Sequence, residues 1–130
     1  MHLETISVTI ERQPEEVYAF IMNPDNLQQW IPSFAESVQR SGDDLIVETS
    51  EEPMKFRFVG RNEYGVADHF VTLMSGECIY NPMRVIANGT CSEVLFTLFK
   101  RPGMSDEQYA DDARNVAIDL NALKAVLERK

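Results

Sequence analysis

Asp68 and His69 stand side by side in the strand-rich part of the chain, and they are the one place there where a proton could be exchanged with a bound molecule. Successive strand residues point to opposite faces, so one of the pair enters an interior and the other leaves it. An inward His, with an ordinary pKa of about 6.5, could act as a general base or polarise a carbonyl. A strand His can equally be satisfied by backbone or solvent and do no chemistry. The choice turns on the loop at Ser75-Gly76. A two-residue turn puts Asp68, Phe70 and Thr72 on the inner face with Asn81, whereas a three-residue loop puts His69 and Val71 there. Ala67, Val71 and Leu73 make the smoother apolar companion set, which favours His69. His69 and Asp68 are therefore the candidate catalytic residues, and both remain open at this point.

Other chemistry is poorly supported. The chain has no Gly-rich phosphate loop, nucleophile elbow or His-Glu-x-x-His pattern, and no cofactor is expected. His2 stands at the very start of the chain, a poor place for a ligand. Asp106, Glu107, Asp111 and Asp112 read as the favourable anionic first turns of a helix rather than as a cation site. Asn88-Gly89 between two strand-like runs signals a hairpin, and a two-residue turn there pairs Ala87 with Thr90, Ile86 with Cys91 and Arg84 with Glu93. Cys78 then falls opposite Phe99, on the order of 26 Å from Cys91 along the ladder, while a disulfide needs Cα atoms within roughly 7 Å. Both thiols are expected reduced, and with no His or Cys at ligand spacing no metal site is expected.

The elements that must position these residues follow from periodicity. Leu3 to Arg12 alternates, with Ile6, Val8 and Ile10 on one face, and reads as a half-buried strand. Pro14 with Glu15 and Glu16 opens a helix that buries Val17, Phe20 and Ile21; Asn23-Pro24-Asp25 starts a second, short helix ending at Pro32. Six strands fit the stretch from Phe34 to Lys100, separated by turn residues: Phe34 to Arg40, Leu45 to Glu51, Met54 to Gly60, Val66 to Met74, Cys78 to Ala87 and Cys91 to Lys100. Short turns between them imply an antiparallel meander. Ser105 to Lys130 is one long amphipathic helix behind a Ser105/Gln108 capping box, with Tyr109, Ala113, Val116, Ala117, Leu120, Leu123 and Leu127 along one face. Asp111, Asp112, Asp119, Lys124, Glu128 and Arg129 fall between them and make the charged face.

A chain of 130 residues is one domain, 1–130, by size. A net charge of −9 argues against nucleic acid as a partner, because phosphate backbones attract clustered Lys and Arg. No apolar run is long enough to span a membrane. The opening Met-His-Leu-Glu-Thr lacks the basic and apolar regions of a secretory signal, so a cytoplasmic location is expected.

The order strand, two short helices, six-strand meander, long terminal helix resembles the helix-grip fold of the START-like (SRPBCC) superfamily, and the resemblance covers nearly the whole chain. The stretch Ile6-Ser-Val-Thr-Ile-Glu-Arg-Gln-Pro-Glu-Glu-Val-Tyr-Ala-Phe-Ile, then Asn23-Pro-Asp-Asn-Leu-Gln-Gln-Trp30, carries it most clearly. Tyr64-Gly-Val-Ala-Asp-His69 and Ser92-Glu-Val-Leu-Phe-Thr-Leu-Phe-Lys-Arg-Pro-Gly103 are similar to bacterial members of the polyketide cyclase/dehydrase branch. The resemblance implies an α+β fold in which a curved antiparallel sheet of about seven strands grips the terminal helix, with an apolar ligand between them. A nuclear-transport-factor-like barrel, the rival small fold, begins with helices, whereas here a strand comes first.

On that fold, strand parity puts Ile79, Asn81, Met83, Val85, Val94, Phe96 and Leu98 on the inner face, and Phe56 and Phe58 alternate inward against Lys55 and Arg57. The expected ligand-binding residues are Trp30, Phe34, Phe56, Phe58, His69, Asn81, Met83, Phe96, Tyr109, Val116 and Leu120, with Trp30 and Phe34 at the mouth. Simple core packing is the competing role for each aromatic among them. Tyr80, Leu95 and Phe99 face outward and could mark a surface for a homodimer. Three functions follow from the resemblance. The first is binding of a hydrophobic small molecule such as a lipid, polyketide or aromatic metabolite. The second is a cofactor-independent cyclase/dehydrase-like enzyme using His69 with Asn81, and the third is a protein-interaction module resembling the heat-shock ATPase activators.

Overall fold

Ile6, Val8 and Ile10 alternate with Thr and Ser, and in the computed structural model, which describes residues 2–33 and 35–129, this stretch is the strand β1 (Leu3–Ile10). Pro14 opens α1 (Pro14–Met22), whose buried stripe is Val17, Phe20, Ile21 and Met22. Asn23 ends it, and its side chain accepts the Asp25 N–H to start a single 3-10 turn (Pro24–Asn26) that runs into α2 (Leu27–Trp30). Seven strands follow: β2 (Ser37–Ser41), β3 (Asp44–Glu48), β4 (Met54–Phe58), β5 (His69–Thr72), β6 (Cys78–Asn81), β7 (Met83–Asn88) and β8 (Cys91–Phe99). Last comes α3 (Asp106–Glu128) behind the capping box of Ser105 and Gln108.

The strands form an antiparallel meander in the order β2-β3-β4-β5-β6 and a second antiparallel sheet in the order β1-β8-β7. The run from Cys78 to Ala87 is thus two strands rather than one. Pro82 divides it: proline has no N–H for a ladder, and its carbonyl accepts the Thr97 N–H at 3.0 Å instead. Before the break β6 pairs with β5, and after it β7 pairs with β8. A short extended stretch bridges the two sheets, Ala67 N–H donating to Met83 O and Val85 N–H to Gly65 O, each at 2.9 Å. Gly65 is required there, since its φ is +69° and an added Cβ would lie 2.2 Å from the Val85 carbonyl oxygen.

The β7–β8 hairpin turns one residue later than its Asn-Gly signal suggests. Asn88 pairs with Cys91 and Ala87 with Ser92, leaving Gly89 and Thr90 in the turn. Gly89 takes the positive φ, as a Gly-first II′ turn requires, whereas turning at Asn88-Gly89 in the I′ form would put Asn88 there too. The register therefore moves by two, which preserves parity and the inner face. The expected Arg84–Glu93 pair is lost. Arg84 stands opposite Leu95 and bonds the Asp68 carboxylate, and Glu93 accepts from the Thr9 hydroxyl. Cys78 stands opposite Thr72, not Phe99, and both cysteines are free thiols.

Against the concave side lies α3, burying Tyr109, Leu120, Leu123 and Leu127. Its last turns are tied to the end of β1: Lys124 Nζ donates to Thr9 O at 2.7 Å and the Glu128 carboxylate accepts the Glu11 N–H at 2.8 Å. Among the described residues, no helix is long and apolar enough to cross a membrane.

Candidate functional site

Between the concave sheet and α3 lies a cavity of about 660 Å³. The strands line it with Met54, Phe56, His69, Val71, Ile79 and Phe96, and α2 contributes Trp30. The α3 wall is Asp112, Asn115, Val116, Asp119 and Leu120. Asn81, at the Pro82 break, is on the lining, and so are the loop residues Glu51, Glu77, Lys100 and Arg101. Arg101 Nη1 bonds the Glu77 carboxylate at 2.9 Å, joining the β5–β6 loop to the start of the loop before α3. Volume and lining are those of a small-molecule site, mostly apolar with a few polar groups.

His69 reaches this cavity because the turn after β5 takes the three-residue form. Leu73 N–H donates to Glu77 O at 2.9 Å, Met74 to Gly76 make the loop, and His69 falls opposite Asn81. The imidazole is 2% exposed, stacked on Phe56 at 5.1 Å and packed near Phe58 and Phe96 at 5.3 and 5.6 Å. Burial among these rings pushes its pKa down to about 4, against smaller opposing pulls from the Ala67 carbonyl and the Asp68 charge. The ring is neutral at pH 7. Nδ1 lies 3.2 Å from Ala67 O, and since a carbonyl can only accept, Nδ1 carries the proton and Nε2 is an acceptor.

Asp68 goes the other way. Its carboxylate accepts the Met83 N–H at 2.8 Å, the Tyr80 hydroxyl at 2.6 Å and the Arg84 guanidinium. Burial works to raise its pKa, but these three donors outweigh it and hold the group below the ordinary carboxylate range. Asp68 is absent from the cavity lining, so the candidate acid-base pair reduces to His69.

Asp119 is a cavity residue that periodicity placed on the charged face of the helix. It is 7% exposed and held by Ser33, whose N–H donates to Oδ1 at 3.1 Å and whose hydroxyl donates to Oδ2 at 2.9 Å. Burial raises its pKa to about 6 in spite of those bonds. Asp112 lies seven residues earlier, two turns away on the same face, and burial raises its pKa too, partly offset by Arg101. That spacing, and the adjacency of Asp119 to Leu120, was the signal available in sequence. Trp30 is 1% exposed, and its indole Nε1 is the one buried side-chain nitrogen or oxygen among the described residues with no hydrogen-bond partner.

Seven of the residues expected to bind a ligand are on the lining: Trp30, Phe56, His69, Asn81, Phe96, Val116 and Leu120. Three are not. Met83 is fully buried at the start of β7, Tyr109 is buried with its hydroxyl donating to Leu98 O at 3.1 Å, and Phe58 packs behind the wall against Trp30 and His69. Phe34 lies outside the described residues. Of the three residues expected outside, Leu95 is half-buried, while Tyr80, which stacks on Phe70 at 5.3 Å, and Phe99, at the end of β8, are both on the lining. No group of three or more His, Cys, Asp and Glu among the described residues could hold a metal ion.

The same architecture recurs among solved structures. The Aha1 dimer from Colwellia psychrerythraea matches with a TM-score of 0.80 over 98% of this chain and 97% of that one, at 16% identity. A START superfamily protein from Mycobacterium smegmatis matches at 0.73 over 99% of both chains, with 13% identity. Ara h 8.0201 matches at 0.73 over 99% of both, with 14% identity. The chain is similar to these in fold, and identities this low carry the fold alone. No protein-family model and no curated protein matches it. The class is therefore defined by architecture: an α+β protein with the START-like helix-grip fold.

Proposed function

We propose that this chain binds a hydrophobic small molecule between the sheet and α3. The cavity of about 660 Å³, walled by Trp30, Phe56, Phe96, Val116 and Leu120, carries the reading. Protein interiors pack with few voids larger than a water molecule, so a space of this size lined by aromatics favours an occupant over core packing. Native mass spectrometry of the freshly purified protein, followed by thermal denaturation with decanol, tests the proposal. A retained small molecule or a rise in melting temperature supports it, and neither being seen counts against it.

A second reading is a cyclase/dehydrase-like enzyme, and one observation favours it: His69 is on the lining, opposite Asn81. With a pKa of about 4 the imidazole is a weak base at neutral pH, better suited to accept a hydrogen bond and orient a guest than to carry off a proton. Turnover of a poly-carbonyl substrate lost in His69→Phe, with ligand affinity retained, would support the enzyme over the binding protein.

A further inference from the structure

The cavity has a polar character that its apolar volume does not explain. Its charged lining residues are Glu51, Glu77, Asp112 and Asp119 against Lys100 and Arg101, and both cations are committed, Lys100 to Asp106 and Arg101 to Glu77. Asp119 is the most enclosed of the four acids and its oxygens are met only by Ser33 among the described residues, with no cation on them. A buried carboxylate without a cation is costly, and a ligand that brings one relieves that cost. His69 Nε2 adds a second acceptor on the sheet side of the same space. Aromatic faces at Trp30, Phe56 and Phe96 suit both a hydrocarbon body and a nearby positive charge. An anionic lipid would meet the opposite: two acids on α3, only one of them with a cation, Arg101, near it, and among the described residues no lining cation outside an ion pair.

Resting on the binding reading above, we infer that the cavity selects a hydrophobic amine, its ammonium group on the Asp119 carboxylate and its apolar body against the aromatic wall. Asn115 and Asp112, on the turns of α3 before Asp119, leave room for further polar substituents along the helix side. The ligand class is thus a hydrophobic amine rather than a fatty acid or a bare hydrocarbon.

Three probes with one tail and different heads test this: decylamine, decanol and decanoate, titrated by calorimetry into the intact chain at pH 7.5. Trp30 is the chain's single tryptophan, so its fluorescence reports in parallel whether each probe enters the cavity. Decylamine is expected to bind about tenfold tighter than decanol and to exceed decanoate by more, the scale of one charge-assisted hydrogen bond. Asp119→Asn keeps the side-chain shape and removes the charge, and should abolish the preference for decylamine over decanol and decanoate. Asp111→Asn removes the same charge from an exposed site on the same helix and should preserve the preference, which separates the site from the general attraction of an acidic protein. Decanoate equal to or tighter than decylamine, or a preference that survives in Asp119→Asn, would overturn the inference. Equal binding of all three would overturn it and leave the apolar-ligand reading standing; no binding by any would remove both.

Discussion

The backbone N–H of Met83 donates to the Asp68 carboxylate at 2.8 Å, across the point where Pro82 divides one extended run into β6 and β7. The same carboxylate takes the Tyr80 hydroxyl from the strand before the break and the Arg84 guanidinium from the strand after it. A bend that gives up ladder bonds at proline is thereby closed by one side chain. The concavity facing α3 depends on that bend, and so Asp68 serves the cavity from outside it.

Asp68→Ala should therefore cost about 3 kcal/mol of stability, because it strands a buried N–H and removes a charge-assisted bond. Equilibrium unfolding in urea measures the loss. If Asp68 works only as this clamp, the folded variant keeps the wild-type thermal shift with decanol. A variant of unchanged stability but lost binding would contradict the role given to it.

Gly65→Ala should be among the most destabilising single-methyl additions in the chain. The new Cβ would meet the Val85 carbonyl oxygen at 2.2 Å, and both groups belong to backbone segments bonded to each other, so neither can give way without breaking the bridge between the sheets. Gly42 offers the control: its φ of +63° is similar, but nothing lies within 4 Å of an added Cβ. Gly42→Ala should cost about 1 to 2 kcal/mol for the left-handed backbone alone. Gly65→Ala should cost clearly more in the same urea titration.

The fold was legible where local chemistry repeats. β1, α1 and the capped α3 rest on periods of 2 or 3.6 with strong start signals, and they form where the pattern places them. What was not legible depended on contacts between distant segments. Pro82 was visible, yet only the pairing of β5 with β6 and of β8 with β7 shows that its break separates two sheets. Parity survived the hairpin's shift of register because the shift was even, which is why Phe96 and Val94 face inward although Arg84 lost its expected partner. Asp119 escaped notice because a carboxylate next to Leu120 is ordinarily solvated. Its burial comes from Ser33 in the segment after α2, some 86 positions away in sequence.

Acid should act on the fold through two opposed groups that line the same cavity from its two sides. His69 has its folded pKa depressed to about 4, so between its ordinary value of 6.5 and 4 the unfolded chain binds the proton more readily and stability falls as pH falls. Asp119 has its folded pKa raised to about 6 from 3.8, so over nearly the same range the folded state binds the proton more readily and stability rises as pH falls. Each contribution is about 3 kcal/mol in size. Asp112 adds to the Asp119 side, while the depressed Asp68 loses its contribution only below the ordinary Asp range. Wild-type stability should therefore vary little from pH 6 to 4.5. Asp119→Asn should lose stability over that window and His69→Phe should gain it. Matching slopes in the two variants would show that these groups are not what sets the profile.

Filling the cavity from α3 separates empty space from core. Val116 is half-buried on the lining, so Val116→Phe adds a ring where there is room for it and should change stability by less than about 1 kcal/mol. Leu123, two turns further along, is fully buried and off the lining, so Leu123→Phe overpacks and should cost about 1 to 3 kcal/mol. The two variants therefore differ in what is expected for binding as well as for folding. Val116→Phe should weaken decanol binding at least tenfold, since the added ring takes volume that the hydrocarbon would occupy, whereas folded Leu123→Phe should bind as the wild type does. Calorimetry on both, below their melting temperatures, decides it. Unaltered affinity in Val116→Phe would mean that decanol sits elsewhere on the protein, and the cavity between sheet and helix would lose its claim to be the site.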